Sequence, residues 1–412
     1  MLTSTTGQRI WLYVCLLACS ALFASRSFVC ASKLGKRDLT ELSAPAIAAL
    51  VSSPDPVRNV NPADPHSHLS RILIPRPPDT ENNTIVKDYL VSTLKNLNWH
   101  VEEDTFTDTT PYGEKRFTNV IATKDPSASR RVVVAAHFDS KFFPTYPQSQ
   151  FVGATDSAAP CAFMLDLAEA LDPLLNLRQQ RLEDGLEDDE DVAEATLQLV
   201  FFDGEEAFKD WTHTDSIYGA RHLAKKWSSS YIQPYAKRRL LPSMYTEIDT
   251  IEDFILLDLL GAANPRIRSS FSETAWLFDA MASAERRLGE SGSFNYGGES
   301  NAQWKSFFVP RRGNLNSYGI EDDHLPFLHL GVSILHVIAS PFPSVWHTIK
   351  DDATALDVPT MRRWNLILRV LMSEYLGLRP DLLRSREDPP AHLGRSVDDL
   401  VRNRSALHEA LL

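Results

Sequence analysis

The sequence predicts an α/β fold, a three-layer sandwich in which a mixed, mostly parallel central sheet is covered by helices on both faces. Short apolar runs alternate with amphipathic segments along most of the 412 residues, and 43% of the residues are hydrophobic. The chain contains no internal repeat. We therefore expect one long α/β unit with a large core.

An amphipathic helix and two strands are expected at the start of this unit. Apolar side chains recur at helical spacing from Asn83 to Leu97. Residues 101–107 and 117–122 are typical of strands.

Four predicted strands, each followed by a helix, make up the rest. The strands are 132–136, 197–202, 254–259 and 332–338, and the helices are 160–171, 216–227, 274–288 and 359–376. Pro160 suits the first turn of its helix. Strand–helix alternation favours parallel neighbours with helices on both faces.

The two ends of the chain differ from this unit. Arg9 precedes an apolar run of about 15 residues, and small residues allow cleavage after Ala31, so we expect a signal peptide at 1–31. The run is shorter than the roughly 20 residues of a spanning helix. We expect entry into the secretory pathway and secretion; an uncleaved Golgi or ER membrane anchor is the alternative. We expect a polar arm at 32–72, the α/β domain at 73–378 and a C-terminal tail at 379–412.

Composition excludes some partners. The net charge is −12 with no basic stripe, so we expect no nucleic acid partner. Cys161 is the one cysteine outside the signal segment, which predicts a mature chain without an internal disulfide. The acidic run 182–191 predicts a solvated loop. Asn82 and Asn403 begin glycosylation sequons, relevant only to a secreted chain.

Acidic and histidine side chains collect where the apolar runs end. These residues are His137, Asp139, Asp156, Glu205, Glu206, Asp258 and His347. The carboxyl ends of parallel strands meet at one edge of a sheet, where ligands bind. Aspartate, glutamate and histidine together are typical ligands of a divalent metal such as Zn²⁺.

Single residues of this group leave alternatives open. Asp156 alone could be a helix cap. His347 alone does not distinguish a metal ligand from an ordinary loop residue. The adjacent Glu205 and Glu206 repel each other unless a cation or proton neutralises one. One of them on a metal and the other acting as general base resolves this conflict. Asp258 ends an apolar run and needs a hydrogen-bond partner there.

Five segments of the sequence resemble the animal-type glutaminyl-peptide cyclotransferases. They are Gly153–Cys161, Phe201–Phe208, Asp258–Ala262, Glu321–His324 and Ser340–Thr348, and the resemblance extends from about Pro75 to Leu376. That family belongs to a broader group of zinc aminopeptidases with the same α/β scaffold.

The resemblance implies an enzyme that cyclises the N-terminal glutamine of peptides and proteins to pyroglutamate and releases ammonia, with N-terminal glutamate as a further candidate substrate. It implies one zinc ion per chain, held by Asp156, Glu206 and His347, with Glu205 as general acid/base. Asp258 and Asp322 would form an acidic network beside Glu205. The implied substrate pocket consists of Trp211, Phe342, Trp346, His336 and His137. We expect a monomer.

The resemblance also carries two expectations about the backbone around Asp156. The peptide bond between Asp156 and Ser157 should be cis. Secreted relatives commonly pair the cysteine matching Cys161 with one just before the histidine matching His137, but here that position is Ala136. The disulfide is therefore absent.

Two alternatives remain from the sequence. A two-zinc aminopeptidase would use the same scaffold, with His137 and Asp258 on a second metal and Asp156 bridging both. A catalytically inactive binding ectodomain would also keep the fold, but such a protein would not need every candidate ligand.

Overall fold

The computed structural model describes residues 39–186, 194–232, 245–297, 304–311 and 319–382, which belong to one compact unit, Leu39–Leu412. The predicted signal peptide, half of the acidic run, Asn403 and most of the C-terminal tail lie outside these residues. Within them, none of the helices combines the length and apolar character needed to cross a membrane.

Most predicted elements are present with small shifts in their ends. The strands are β1 His100–Thr110, β2 Gly113–Thr123, β3 Arg130–His137, β4 Ala195–Phe202, β5 Ile251–Asp258 and β6 Ser333–Ile338. The helices are α1 Ala44–Ser52, α2 Val57–Val60, α3 His68–Ile72, α4 Glu81–Asn96, α5 Ala159–Glu183, α6 Tyr218–Ser229, α7 Ala275–Glu290, α8 Leu325–His329 and α9 Val358–Tyr375.

The strands form one mixed sheet in the order β1-β2-β4-β3-β5-β6. The first two strands pair antiparallel, and β2 is antiparallel to β4. The other three pairs, β4 with β3, β3 with β5 and β5 with β6, are parallel. The mostly parallel sheet predicted from strand–helix alternation is therefore confirmed.

Helices cover both faces of this sheet. On β3, Val132 and Val134 point into a core shared with α5, α7 and α9. Val133 and Ala135 alternate with them and pack into a second core with α6. All four side chains are fully buried. A strand buried on both faces needs a continuous apolar run, which explains the sequence of β3.

The described part of the predicted polar arm, residues 39–72, contains three helices. Ser43 caps the N-terminus of helix α1, because its side chain accepts a hydrogen bond from the backbone N–H of Ala46. Its Ile47 and Leu50 belong to the main core. From α2, the Asn59 side-chain amide donates to Asp166 Oδ1 of α5 at 3.0 Å. The described residues 39–72 are thus packed onto the α/β domain.

Helix α5 is longer than predicted. The predicted end was Leu171, and Pro173 follows two residues later, where proline usually disrupts a helix. The helix continues through Pro173 to Glu183. Leu174 and Leu175, directly after the proline, are almost fully buried. Burial of this apolar face compensates for the hydrogen bond that proline removes.

Candidate metal centre and active site

Four parallel strands bring the candidate residues to one edge of the sheet. His137 is the last residue of β3 and pairs in register with Phe202, the last residue of β4. Asp258 ends β5 and pairs with Ile338, which ends β6. Residues that directly follow these positions therefore lie side by side, as the sequence analysis predicted.

Asp156 lies in a tight turn before α5. Gly153 begins the turn with φ at 53°, and a Cβ there would collide with the Asp156 carbonyl oxygen, so glycine is required. The Asp156–Ser157 peptide bond is cis, which confirms that expectation. The Thr155 backbone N–H donates to Asp351 Oδ1 at 2.9 Å.

Glu205 and Glu206 follow β4 in a turn that Gly204 allows. Its φ is 77°, and a Cβ there would lie 2.5 Å from the Phe117 ring. Asp139 holds the turn, because one of its carboxylate oxygens accepts from the Glu205 backbone N–H at 3.2 Å and the other from the Glu206 N–H at 3.3 Å. The positions of the two glutamates are thus fixed through the backbone.

Asp156, Glu206 and His347 form a group that could hold a metal ion. The His347 Nε2 atom lies 3.5 Å from Asp156 Oδ2 and 3.3 Å from Glu206 Oε1. Both oxygens are buried and have no hydrogen-bond partner among the described residues. Buried carboxylate oxygens without partners are costly, and a cation would satisfy them. Two carboxylates and one imidazole also match the ligands that zinc accepts.

The electrostatics of this group favour an anionic Asp156 carboxylate. Burial acts to raise the pKa of Asp156, but the hydrogen bond to His137 and the nearby His347 imidazole prevail and hold it well below its usual range. Burial acts to lower the pKa of His347, but Asp156 and Glu206 prevail and raise it to about 9. Lys141 Nζ lies 3.2 Å from Glu206 Oε2 and compensates the second oxygen of that carboxylate.

His137, Asp156 and Asp258 form a second group with metal-ligand spacing. The His137 Nε2 atom lies 3.0 Å from Asp156 Oδ1 and 3.5 Å from Asp258 Oδ1. Asp258 Oδ1 also accepts hydrogen bonds from the Ser157 hydroxyl and the Leu259 backbone N–H. Protein groups thus already contact the oxygen that a metal would need.

Asp322, His324 and His336 form a third buried group behind the second. The His336 Nε2 atom lies 2.8 Å from Asp322 Oδ2. Burial acts to raise the pKa of Asp322, but the hydrogen bond to His336 prevails and lowers it. Burial lowers the pKa of His324 to about 3, and His336 adds to this effect. His324 is therefore a neutral imidazole.

Glu205 lies between the candidate metal ligands and this acidic network. Burial raises its pKa well above the usual range; His137 opposes the shift, and the charges of Asp322 and Glu206 add to it. Burial and the charge of Asp322 raise the pKa of Asp258 to about 6. A carboxyl group whose pKa is shifted upward can both take and return a proton near neutral pH.

A cavity of about 300 Å³ opens above these residues. Its aromatic wall consists of Phe342, Trp346 and Trp211. The Phe342 and Trp346 rings lie 5.0 Å apart, and Trp346 stacks on His347 with 3.9 Å between ring centroids. The Trp211 indole N–H donates to Glu321 Oε2 at 3.0 Å. A cavity with an acidic floor and aromatic walls can accommodate a small polar group at the end of a longer ligand.

Eight of the predicted site residues line this cavity: Asp156, Glu205, Glu206, Trp211, Asp258, Phe342, Trp346 and His347. The other three predicted residues do not. His137 and His336, expected beside the substrate, are 1% and 3% exposed and lie behind the lining, where they contact carboxylates. Asp322 is 2% exposed and also lies behind it.

Several residues that hold the site together had no predicted role. Asp139 was noted at a strand end, and its spacing from His137 was the available signal. Asp351 follows His347 by four residues, and nothing in the pattern distinguishes it from a surface aspartate. Lys141 and Glu321 lie in polar loops, where sequence alone gives no indication of their contacts.

The fold and the site define the class of protein. A sequence profile of Peptidase family M28 matches residues 119–372, which is more than half of the chain. The chain belongs to this family. A structure titled as a Zn-dependent exopeptidase from Parabacteroides distasonis shares the fold, with a TM-score of 0.52 and 22% identity over 81% of this chain and 99% of that one.

Closer relatives narrow the assignment. The glutaminyl-peptide cyclotransferase of Bothrops jararaca is 44% identical over 75% of this chain and 80% of its own length. The corresponding enzyme of Drosophila melanogaster is 41% identical over 75% of this chain and 79% of its own. The glutaminyl cyclase of Macrostomum lignano superposes with a TM-score of 0.68 at 36% identity, over 84% of this chain and 98% of that one. Within family M28, the chain is thus a member of the glutaminyl-peptide cyclotransferases.

Proposed function

We propose that this enzyme converts the N-terminal glutamine of peptides and proteins to pyroglutamate and releases ammonia, using one zinc ion per chain. The observation that carries the proposal is the position of Glu205. Its buried carboxyl group lines the same cavity as the candidate metal ligands Asp156, Glu206 and His347. The names of the relatives support the same reaction.

Asp156, Glu206 and His347 would hold the zinc ion. The partnerless oxygens of Asp156 and Glu206 support this assignment, since each faces the His347 imidazole nitrogen within 3.5 Å. Three protein ligands leave a position for substrate, as a catalytic zinc site requires. A zinc ion held by these residues would supply Lewis acidity at the γ-carboxamide oxygen of the substrate glutamine.

Glu205 would carry the proton. As the substrate's α-amine attacks its own γ-carboxamide carbon, Glu205 accepts a proton from that amine. It then returns the proton to the departing nitrogen, which leaves as ammonia. The new C–N bond closes the five-membered ring while the old C–N bond breaks. Because attack is intramolecular, the reaction needs no external nucleophile and gains from proximity.

The rest of the cavity would favour cyclisation over hydrolysis. Trp346 and Phe342 pack against each other beside His347 and reduce the space for water. Asp258 would orient the α-amine, since its carboxylate lines the cavity while His137 and Ser157 hold it from behind.

One observation favours the two-zinc aminopeptidase as a second candidate. His137, Asp156 and Asp258 also have metal-ligand spacing. Against it, Asp258 Oδ1 already accepts two hydrogen bonds, and burial raises the pKa of this group to about 6. Both effects weaken Asp258 as a ligand.

Paired substrates test the proposal. Purified enzyme is incubated with a peptide that begins with glutamine and with a matched peptide that begins with leucine. We expect a loss of ammonia from the first by mass spectrometry, no cleavage of the second, and loss of activity with a chelator. Elemental analysis should give about one zinc per active chain. Two tightly held zinc ions together with leucine release would establish the aminopeptidase.

We propose that the enzyme is secreted as a monomer after cleavage at Ala31. N-terminal sequencing of protein exported by expressing cells tests the cleavage.

In the sequon at Asn82, the side-chain amide donates to the Pro75 carbonyl oxygen at 2.7 Å. Glycosylation of Asn82 would therefore have to break this hydrogen bond.

A further inference from the structure

Among the described residues that line the cavity, Glu321 is the one acidic residue without a role in the proposed reaction. The described lining contains five carboxylates, from Asp156, Glu205, Glu206, Asp258 and Glu321, and no lysine or arginine. The first four are buried on the floor, with between 3% and 7% of their surface exposed. Glu321 is exposed.

The exposed part of the lining marks where a polypeptide substrate leaves the cavity. Trp211 and Trp346 are 39% and 41% exposed, and Glu321 accepts the Trp211 indole hydrogen bond at 3.0 Å. The reacting amine and carboxamide of the first residue must reach Glu205 and the zinc ligands on the buried floor. The second residue of a bound substrate would therefore lie at the level of the exposed rim, beside Trp211 and Glu321.

We propose that Glu321 is a specificity-determining residue that favours substrates with a cationic second residue and disfavours those with an acidic one. This inference rests on the proposed cyclotransferase function. A lysine or arginine at the second position can approach the Glu321 carboxylate while its aliphatic part packs on the Trp211 ring. An acidic side chain at that position meets only like charge on the described lining, apart from His347 on the floor.

Solvent exposure of Glu321 limits the size of the expected substrate preference. A charge pair at an exposed site contributes little, so the ratio of kcat/KM between lysine and glutamate at the second position should be about 2- to 5-fold. The ratio should also decrease with rising salt concentration, since exposed charges are screened.

Glu321 could instead act only by orienting Trp211, and one substitution separates the two roles. Glu321→Gln removes the charge but keeps a side-chain oxygen that can accept the indole hydrogen bond. Trp211→Phe removes the indole N–H and leaves the Glu321 charge. A specificity role for the charge predicts that only the first substitution abolishes the preference.

The test uses three peptides that differ only at the second residue, which is lysine, alanine or glutamate after an N-terminal glutamine. We expect wild-type kcat/KM to be highest for lysine and lowest for glutamate, and Glu321→Gln to bring the lysine-to-glutamate ratio close to 1. Glu290→Gln is the matched control, because it removes one exposed negative charge at the C-terminal end of α7. It should leave the ratio as in wild type.

The outcomes distinguish this inference from the proposed function. A wild-type enzyme that cyclises all three peptides equally, or a preference that survives in Glu321→Gln, overturns the inference and leaves the function intact. Loss of the preference in both Glu321→Gln and Glu290→Gln also overturns it, because net charge would then be the cause. Absence of ammonia release from the alanine peptide overturns the function itself.

Discussion

The Asp351 carboxylate accepts a hydrogen bond of 2.9 Å from the backbone N–H of Thr155. The carbonyl oxygen of Asp351 accepts a second one, also of 2.9 Å, from the N–H of Ala154. Asp351 belongs to the loop that carries His347, whereas Thr155 directly precedes Asp156. One buried aspartate thus connects the loops of two candidate zinc ligands.

We therefore expect Asp351→Ala to weaken zinc binding about 10- to 100-fold, the range seen when residues that orient metal ligands are replaced. The Thr155 N–H would also lose its partner. Asp351→Asn keeps an oxygen acceptor and should bind zinc more tightly than the alanine variant. Competition with a chromophoric chelator measures both affinities. Equal affinities for wild type and Asp351→Ala would contradict the link.

Glu205→Gln should lose about 10²- to 10⁴-fold in kcat, because an amide cannot relay the proton. The variant should keep its zinc, since Glu205 is not among the three proposed ligands. His347→Ala is the contrasting variant and should lose the metal itself. Steady-state kinetics and elemental analysis of both variants check these outcomes. Near-wild-type turnover by Glu205→Gln would remove Glu205 from the mechanism.

Activity should decrease as the pH falls below about 8. The attacking α-amine must be uncharged, and its ordinary pKa is about 7.7–8.0. Glu205 must also be ionised to accept the proton, and burial raises its pKa well above the usual range. Both groups therefore become protonated on the acid side, and both changes inhibit. A profile of kcat/KM against pH with a maximum near pH 5 would disprove this scheme.

Acid should remove a stabilising contribution of Glu169, which lies away from the active site. Burial acts to raise the pKa of Glu169, but hydrogen bonds from His68 and Asn59 prevail and lower it from 4.5 to about 2. Because the folded-state pKa is depressed, the stabilisation is complete above about pH 4.5 and is lost as the pH falls towards 2.

We expect Glu169→Gln to be less stable than wild type by about 1–2 kcal/mol at pH 7, after allowance for partial exposure. The difference in unfolding free energy should shrink at pH 3. Urea titrations at the two values measure it. A constant difference would show that Glu169 contributes through packing alone.

The sequence predicted the sheet because its signals are local. Strands β3 to β6 are buried on both faces and therefore appear as apolar runs, and acidic residues lie at or just after the ends of β3, β4 and β5. The helix α1 was missed because the segment around it is polar and contains several prolines. Its cap at Ser43 and the apolar Ile47 and Leu50 were signals that could have identified it.

The resemblance supplied the proposed zinc ligands and Glu205, because each of them lies in one of the five matching segments. The contacts that position them could not be predicted from the sequence. Asp139 and Asp351 act through backbone N–H groups that are distant in sequence, and no pattern encodes those pairings. The burial of His137 and His336 behind the lining likewise depends on side-chain packing, not on their place at a strand.

Cys161 is a chemical probe of the turn at Asp156. Its thiol is fully buried, donates to the His137 carbonyl oxygen at 3.2 Å, and has a pKa that burial raises to about 12. A thiol reagent can therefore reach it only when the start of α5 opens. The rate of Cys161 alkylation, measured by mass spectrometry of the peptide that contains it, therefore reports how often the start of α5 opens. Added zinc should lower the alkylation rate, because a bound ion would hold Asp156, five residues before Cys161, in place.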